Sequence, residues 1–350
     1  MNTITIGKRT LGLGHPSFII GELSCNHNGD YQVAADSVHA MHKAGVDCLK
    51  LQTARPASIT IDSKKSDFII GGGTLWDNKS LFELYTEVYT PWEWHKPLQE
   101  LAHSLGMEFF SSPFDHDAVE FLEEMHVPAY KIASFEITDI PLIEHAASKG
   151  KPIIMSTGVA REIDVREAVD ACRRMGNDQI ILLKCTSSYP TPLEEVNLNT
   201  IPLLREKFDV QVGLSDHTMG YVVPMGAVAL GATLIEKHFI MDRSIGGPDS
   251  AFSMEPSEFE QMIKNVRDVE KALGIATLEL SEKSAKNRAF ARSLYVVNDM
   301  REGEIFTREN IRSIRPGFGL SPKHLSEILG KKAKANLEKG TPVSWELIEK

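Results

Sequence analysis

Cysteine, long apolar runs and surplus positive charge are all scarce in this sequence, and each scarcity closes off a class of protein. The four cysteines, Cys25, Cys48, Cys172 and Cys185, include no CxxC pair. They read as reduced cytoplasmic thiols rather than a disulfide frame. No secretory pattern is expected, because Phe18-Ile19-Ile20 is too short for an apolar leader and runs straight into polar residues. The most apolar stretch, Val222 to Ile240, contains Pro224, Glu236, Lys237 and His238, so it is no membrane span and no membrane partner is expected. A net charge of −10 leaves no basic footprint for nucleic acid. Low-complexity tracts are absent too.

What remains is an alternation of short β-branched or aromatic runs with longer amphipathic segments, the pattern of parallel strands joined by helices. Eight runs are found: Phe18–Ser24, Cys48–Thr53, Glu108–Pro113, Ala129–Ser134, Pro152–Thr157, Ile180–Thr186, Val210–His217 and Leu234–Ile240. Eight such units predict an α/β fold, a (β/α)8 TIM barrel. The first residues read as a hairpin turning at Gly7-Lys8 that plugs the barrel bottom. Asp30 is placed to cap the helix beginning near Val33. The long connection from Thr53 to about Trp92 holds Gly71-Gly72-Gly73 and the amphipathic piece Leu81–Tyr89, and reads as a substrate-covering loop. The predicted organisation is a barrel domain over 1–278, a polar linker over 279–290, and a small β-rich domain over 291–350. From Arg288 to Lys350 there are 12 Lys/Arg against 8 Asp/Glu, leaving 26 against 40 for the rest. A basic module thus accompanies an acidic body.

Function collects at the carboxyl ends of barrel strands. Here run after run ends in polar groups: Glu22 and Ser24, Lys50, Gln52 and Thr53, Ser111 and Ser112, Lys131 and Ser134, Ser156 and Thr157, Lys184, Thr186 and Ser187, Ser215 to His217, and Glu236 to His238. Strands buried on both faces should be apolar throughout. A ring of lysines and hydroxyls at one mouth suits a small multiply charged anion such as a phosphorylated carboxylate. His217 and His238 close strands seven and eight, each beside a carboxylate, Asp216 and Glu236. Adjacent strand ends bring both imidazoles within reach of one divalent cation, and such donors suit Mn2+ or Zn2+. Glu22, inside a strand, needs a partner. Cys185 has no evident nucleophile-activating neighbour and reads as packing.

The motifs ELSCNHNGD, LKLQT, FSSPFD, YKIAS, STG, LLKCTSSYPTP, GLSDHT and EKHF, in this order, resemble the sialic acid synthase family. RSLYV, IRPGFGL and LGK near the end resemble its antifreeze-like (SAF) domain. FIIGGGTLWDNKSLFELY, TPWEWH and YKIASFEITD look most like the branch that makes pseudaminic acid. The resemblance implies a condensation of phosphoenolpyruvate with an open-chain N-acetylated amino sugar. It implies that Lys50, Ser112, Lys131, Ser134, Ser156, Ser187 and Ser215 hold phosphoenolpyruvate, that Tyr189, Asp249 and Arg315 contact the sugar, and that Glu22 handles a proton. A divalent metal ion, Mn2+ first and Mg2+ or Co2+ as substitutes, would sit on His217 and His238. It also implies a domain-swapped homodimer. One departure stands out: Cys185-Thr186-Ser187 replaces the CTN of sialic acid synthases proper, which favours a modified sugar. The alternatives are an N-acetylneuraminate or legionaminate synthase, a Schiff-base aldolase using Lys131 or Lys184, a 3-deoxy-ulosonate-type synthase acting on a phosphorylated sugar, and a non-catalytic carbohydrate binder.

Overall fold

A computed structural model describes residues 2–71, 73 and 76–349. It contains two compact units, Met1–Gly274 and Ile275–Lys350. Gly72, in the Gly71–Gly73 run of the expected substrate-covering loop, lies outside the described residues.

In the first unit, strands β1 (Ile4–Ile6) and β2 (Arg9–Leu11) form an antiparallel hairpin. Eight parallel strands then close into a barrel: β3 (Phe18–Glu22), β4 (Cys48–Thr53), β5 (Glu108–Pro113), β6 (Tyr130–Ile132), β7 (Ile153–Ser156), β8 (Ile180–Cys185), β9 (Gln211–Asp216) and β10 (Leu234–His238). The register places His238 beside Glu22, and Glu22 beside Lys50. Ile20, Leu49, Leu51, Phe109, Ile132, Ile154 and Leu182 are wholly buried, as strands covered on both faces require. The eight runs read from the sequence are these eight strands. Helices start where short polar side chains take up the free N–H groups. Asp30 accepts from Gln32 N at 2.7 Å, Asp115 from Ala118 N at 2.6 Å, and Ser80 and Glu83 form a reciprocal capping box ahead of the helix Leu81–Val88.

The hairpin closes the bottom of the barrel. Ile4, Ile6 and Leu11 join the barrel's core, and Lys8 N donates to Glu108 Oε1, at the start of β5, at 2.8 Å. Asp47, just before β4, accepts from Ile19 N and pairs with Arg267 at 3.2 Å and Arg9 at 3.4 Å. These bonds tie the strand starts together and leave the strand ends free for chemistry.

The second unit pairs β11 (Ser293–Val296) with β12 (Ile311–Ile314) in antiparallel register. Leu294, Val296, Phe306, Ile311, Ile328 and Val343 form its own core. Gly319 has no substitute here, since a Cβ would lie 2.3 Å from Leu294 O. No described helix is long and apolar enough to cross a membrane.

Candidate active site

The pleat sorts the strand-end residues by parity, because side chains two apart share a face. Glu22 and Ser24, Lys50 and Gln52, Lys131, Ser156, Cys185, Ser215 and His217, and Glu236 and His238 all line one cavity of about 220 Å³. Residues of the other parity turn outward. Thr53 bonds Ser111 and His95. Lys237 pairs with Asp216 at 2.6 Å, so only one of the two carboxylates next to the histidines, Glu236, faces the mouth. Lys184 also departs from the expected ring of lysines. Its Nζ donates to the Cys185 carbonyl at 2.6 Å and Thr186 Oγ1 at 2.9 Å, away from Lys50 and Lys131.

Two lysines and two carboxylates form the buried floor. Lys50 Nζ lies 2.6 Å from Glu22 Oε1 and 3.7 Å from Glu236 Oε1. Lys131 Nζ lies 3.2 Å from the same Glu236 oxygen, which also accepts from Ser215 Oγ at 3.2 Å. Burial alone would lift the Glu22 carboxyl, yet the charges on His238 and Lys50 hold it well below the usual carboxylate range. Burial opposes the charge on Lys50 too, but Glu22 and Glu236 raise its pKa. Among the described residues Ser112 Oγ and Ser156 Oγ are buried without a partner, although buried hydroxyls are ordinarily paired. Two ammonium groups and the unpaired Ser156 hydroxyl thus line the cavity as hydrogen-bond donors, with Glu22 and Glu236 balancing the lysines' charge.

The histidine ring centroids lie 5.3 Å apart. His217 Nδ1 donates to the Thr186 carbonyl at 3.2 Å, which leaves Nε2 with its lone pair. His238 stands between two carboxylates, with Nε2 3.2 Å from Glu22 and Nδ1 3.4 Å from Asp249. Burial would lower its pKa, but Glu22 and Asp249 lift it to about 10. Asp249 also accepts from Ser24 Oγ at 2.5 Å. The residues fit a divalent cation: one imidazole nitrogen is free, and two carboxylates call for positive charge at the other ring. No group of three or more ligating side chains occurs among the described residues, so water or substrate oxygens would complete the coordination.

Several participants escape a reading of strand ends. Cys185 is more than packing: its Sγ lies 3.5 Å from Ser134 Oγ and 3.9 Å from His217 Nδ1. Burial would raise the thiol, but His217 draws it down to about 7. Gly158 leaves a notch among hydroxyls. A Cβ there would come within 2.2 Å of Ser187 Oγ and 2.8 Å of Ser134 Oγ, and its N–H donates to Ser134 at 3.2 Å. Tyr189 packs edge-on to His217 at 4.6 Å. Ser112 faces the interior without lining the cavity, and Arg315 belongs to the other unit, before Pro316.

Glu136, in a short turn after β6, also lines the cavity, and burial pushes its carboxyl up to about 7. A carboxyl with a folded pKa above its unfolded value binds its proton more tightly when folded. Stability is therefore lost as pH rises from the unfolded pKa through the folded one. Glu136→Gln should stabilise the protein by up to about 3 kcal/mol at pH 8 and by nothing at pH 4. Denaturant melts at both pH values check this, and equal effects at the two would contradict it.

The profile of the NeuB family matches residues 37–277, and that of the SAF domain matches residues 291–349. The pseudaminic acid synthase of Campylobacter jejuni (strain 81-176) is 50% identical over 92% of this chain and 94% of that protein. The pseudaminic acid synthase of Helicobacter pylori (strain ATCC 700392 / 26695) is 48% identical over 96% and 98%. Among solved structures, the N-acetylneuraminic acid (sialic acid) synthetase of Leptospira borgpetersenii serovar Hardjo-bovis, in complex with citrate, aligns with a TM-score of 0.74 at 30% identity, covering 82% of this chain and 95% of that one. A closed barrel whose strand tips meet at a charged mouth, followed by an SAF domain, thus agrees with sequence kinship along nearly the whole chain: it belongs to the NeuB family of sialic-acid-type synthases.

Proposed function

We propose that this protein is a transferase that condenses phosphoenolpyruvate with 2,4-diacetamido-2,4,6-trideoxy-L-altrose and water, forming pseudaminic acid and releasing phosphate. The observation that carries this reading is the floor in which Lys50 and Lys131 share Glu236 beside unpaired serine hydroxyls. The choice of sugar rests on two relatives named as pseudaminic acid synthases at 50% and 48% identity, against 30% for the sialic acid synthetase.

Lys50 and Lys131 take the anionic charge of phosphoenolpyruvate, with Ser112, Ser134, Ser156, Ser187 and Ser215 as hydrogen-bond partners. His217 and His238 would hold a divalent ion, Mn2+ first and Mg2+ or Co2+ as substitutes, which supplies Lewis-acid polarisation of the sugar aldehyde. The methylene carbon of phosphoenolpyruvate attacks the aldehyde carbon, forming the C–C bond as the carbonyl π bond opens to an oxyanion and leaving cationic character at the enol carbon. Water adds there. Glu22, kept ionised by its neighbours, accepts the proton that this water sheds and passes it to the sugar oxyanion. The tetrahedral centre then breaks its C–O bond to the bridging oxygen, and phosphate leaves. Tyr189 and Asp249 orient the sugar.

A Schiff-base reading loses support, since Lys184 turns from the mouth and Lys131 is held by Glu236. The proposal includes a homodimer in which the small domain of one copy serves the barrel of the other and brings Arg315 to an N-acetyl group. Exposed Phe135, Val159, Leu193, Met219 and Val222, all in the connections that follow barrel strands, favour such a cover. A cytoplasmic location agrees with the four free, buried cysteines.

The direct test offers phosphoenolpyruvate with a panel of N-acetylated hexoses, following phosphate release and product mass and NMR. Pseudaminic acid should dominate, and turnover only with N-acetylmannosamine would overturn the assignment. Gly158→Ala should raise the KM for phosphoenolpyruvate about tenfold or more by crowding the notch, with the sugar KM unchanged; an unaltered KM would contradict the cradle. Arg315→Ala should chiefly raise the sugar KM, and a pure loss in kcat would contradict its role.

A further inference from the structure

The cavity has a second wall, which the condensation chemistry does not use. Ile59, Leu84, Tyr85 and Val88, all from the long insert after β4, line it together with Phe114 and Phe135. The helix Leu81–Val88 turns residues 84, 85 and 88 to the cavity, spaced as one helical face, while Glu83 and Glu87 are exposed. Leu84 is only 8% exposed, yet it is no member of the barrel's core cluster. Its burial belongs to the site. Aromatic rings lead there from the reacting end: Tyr189 lies 4.6 Å from His217, 5.1 Å from Phe252 and 6.0 Å from Trp76. The cavity is thus charged at the strand tips and mainly apolar along the insert, where the Glu136 carboxyl and the Tyr85 hydroxyl are polar groups beside Leu84 and Val88.

We infer that this wall, with Leu84 and Val88 at its centre, is the specificity-determining surface for the far end of the sugar, selecting a 6-deoxy, acetamido-bearing end over a hydroxylated one. The inference rests on the proposed condensation. A C6 methyl or an acetamido methyl seated against Leu84 and Val88 is removed from water at a gain. A C6 hydroxyl in the same place loses its water and finds no partner on those side chains. An apolar pocket rejects an added hydroxyl by roughly a hundredfold, so discrimination of that size is expected.

The test uses a matched pair, 2,4-diacetamido-2,4,6-trideoxy-L-altrose and its 6-hydroxy counterpart, with kcat/KM measured for each. The wild type should favour the deoxy sugar by about a hundredfold. Leu84→Asn and the near-isosteric Val88→Thr should each reduce that ratio about tenfold or more, leaving the KM for phosphoenolpyruvate within about twofold. If Leu84→Asn does not fold, Val88→Thr decides by the same ratio. A wild type without preference, or variants that retain it, overturns the inference and leaves the condensation standing. Turnover of N-acetylmannosamine with neither diacetamido sugar accepted would instead sink the condensation reading on which the inference depends.

Discussion

Replacing His238 by Ala should reduce phosphate release from phosphoenolpyruvate by at least about 10³-fold, with the protein still folded. The size of the effect follows from the place of this ring. It is one of two imidazoles at the mouth, and it stands between Glu22 and Asp249 at 3.2 and 3.4 Å. Removing it leaves two buried carboxylates without their shared cation and takes away one of the two rings proposed to hold the metal. The fold survives because each carboxylate keeps other partners. Glu22 retains Lys50 and accepts from Gln52 Nε2 at 2.9 Å, and Asp249 retains Ser24. The stability cost is about 1–3 kcal/mol, that of buried polar groups losing one bond. Circular dichroism and a phosphate assay check both halves. Turnover like that of the wild type would remove the histidine pair from the mechanism.

Glu22→Gln should lower kcat by about 10²–10⁴-fold while the KM for phosphoenolpyruvate moves far less. The amide keeps the size of the side chain and an oxygen for Lys50, so the floor keeps its shape. What it loses is the capacity to take a proton. The carboxylate is available to accept one, because His238 and Lys50 hold it ionised in spite of burial, and water adding to a cationic carbon gives up its proton even to a weak base. Steady-state kinetics with both substrates varied decide the matter, since a loss confined to KM would make Glu22 a binding group only.

The fold was legible because a parallel strand buried on both faces is an unbroken apolar run, and a run that turns polar at its end has few structural explanations. Cys48–Thr53 and Glu108–Pro113 match their strands to the residue. The helix at Leu81–Val88 announced itself through the amphipathic pattern of Leu81–Tyr89. The inward set was less legible. A period of two says that Lys184 and Cys185 face opposite ways, but not which of them faces the mouth. The choice depends on the closure of the whole barrel, and it put the thiol inside and the lysine outside. The same parity separates Asp216 from His217, and Lys237 from His238. Gly158 and Glu136 lie in the STG and YKIASFEITD motifs but showed no role of their own, Gly158 because its contribution is the side chain it lacks and Glu136 because a single carboxylate in a short turn looks like any surface residue.

The cleavage position in phosphoenolpyruvate tests the proposed chemistry most directly. With 18O in the bridge between the enol carbon and phosphorus, water adding at that carbon places the label in the released phosphate, visible as an isotope shift in 31P NMR. Unlabelled phosphate, with 18O retained in the sugar acid, would mean that water attacks phosphorus, and the mechanism built on Glu22, Lys50 and Lys131 would be wrong.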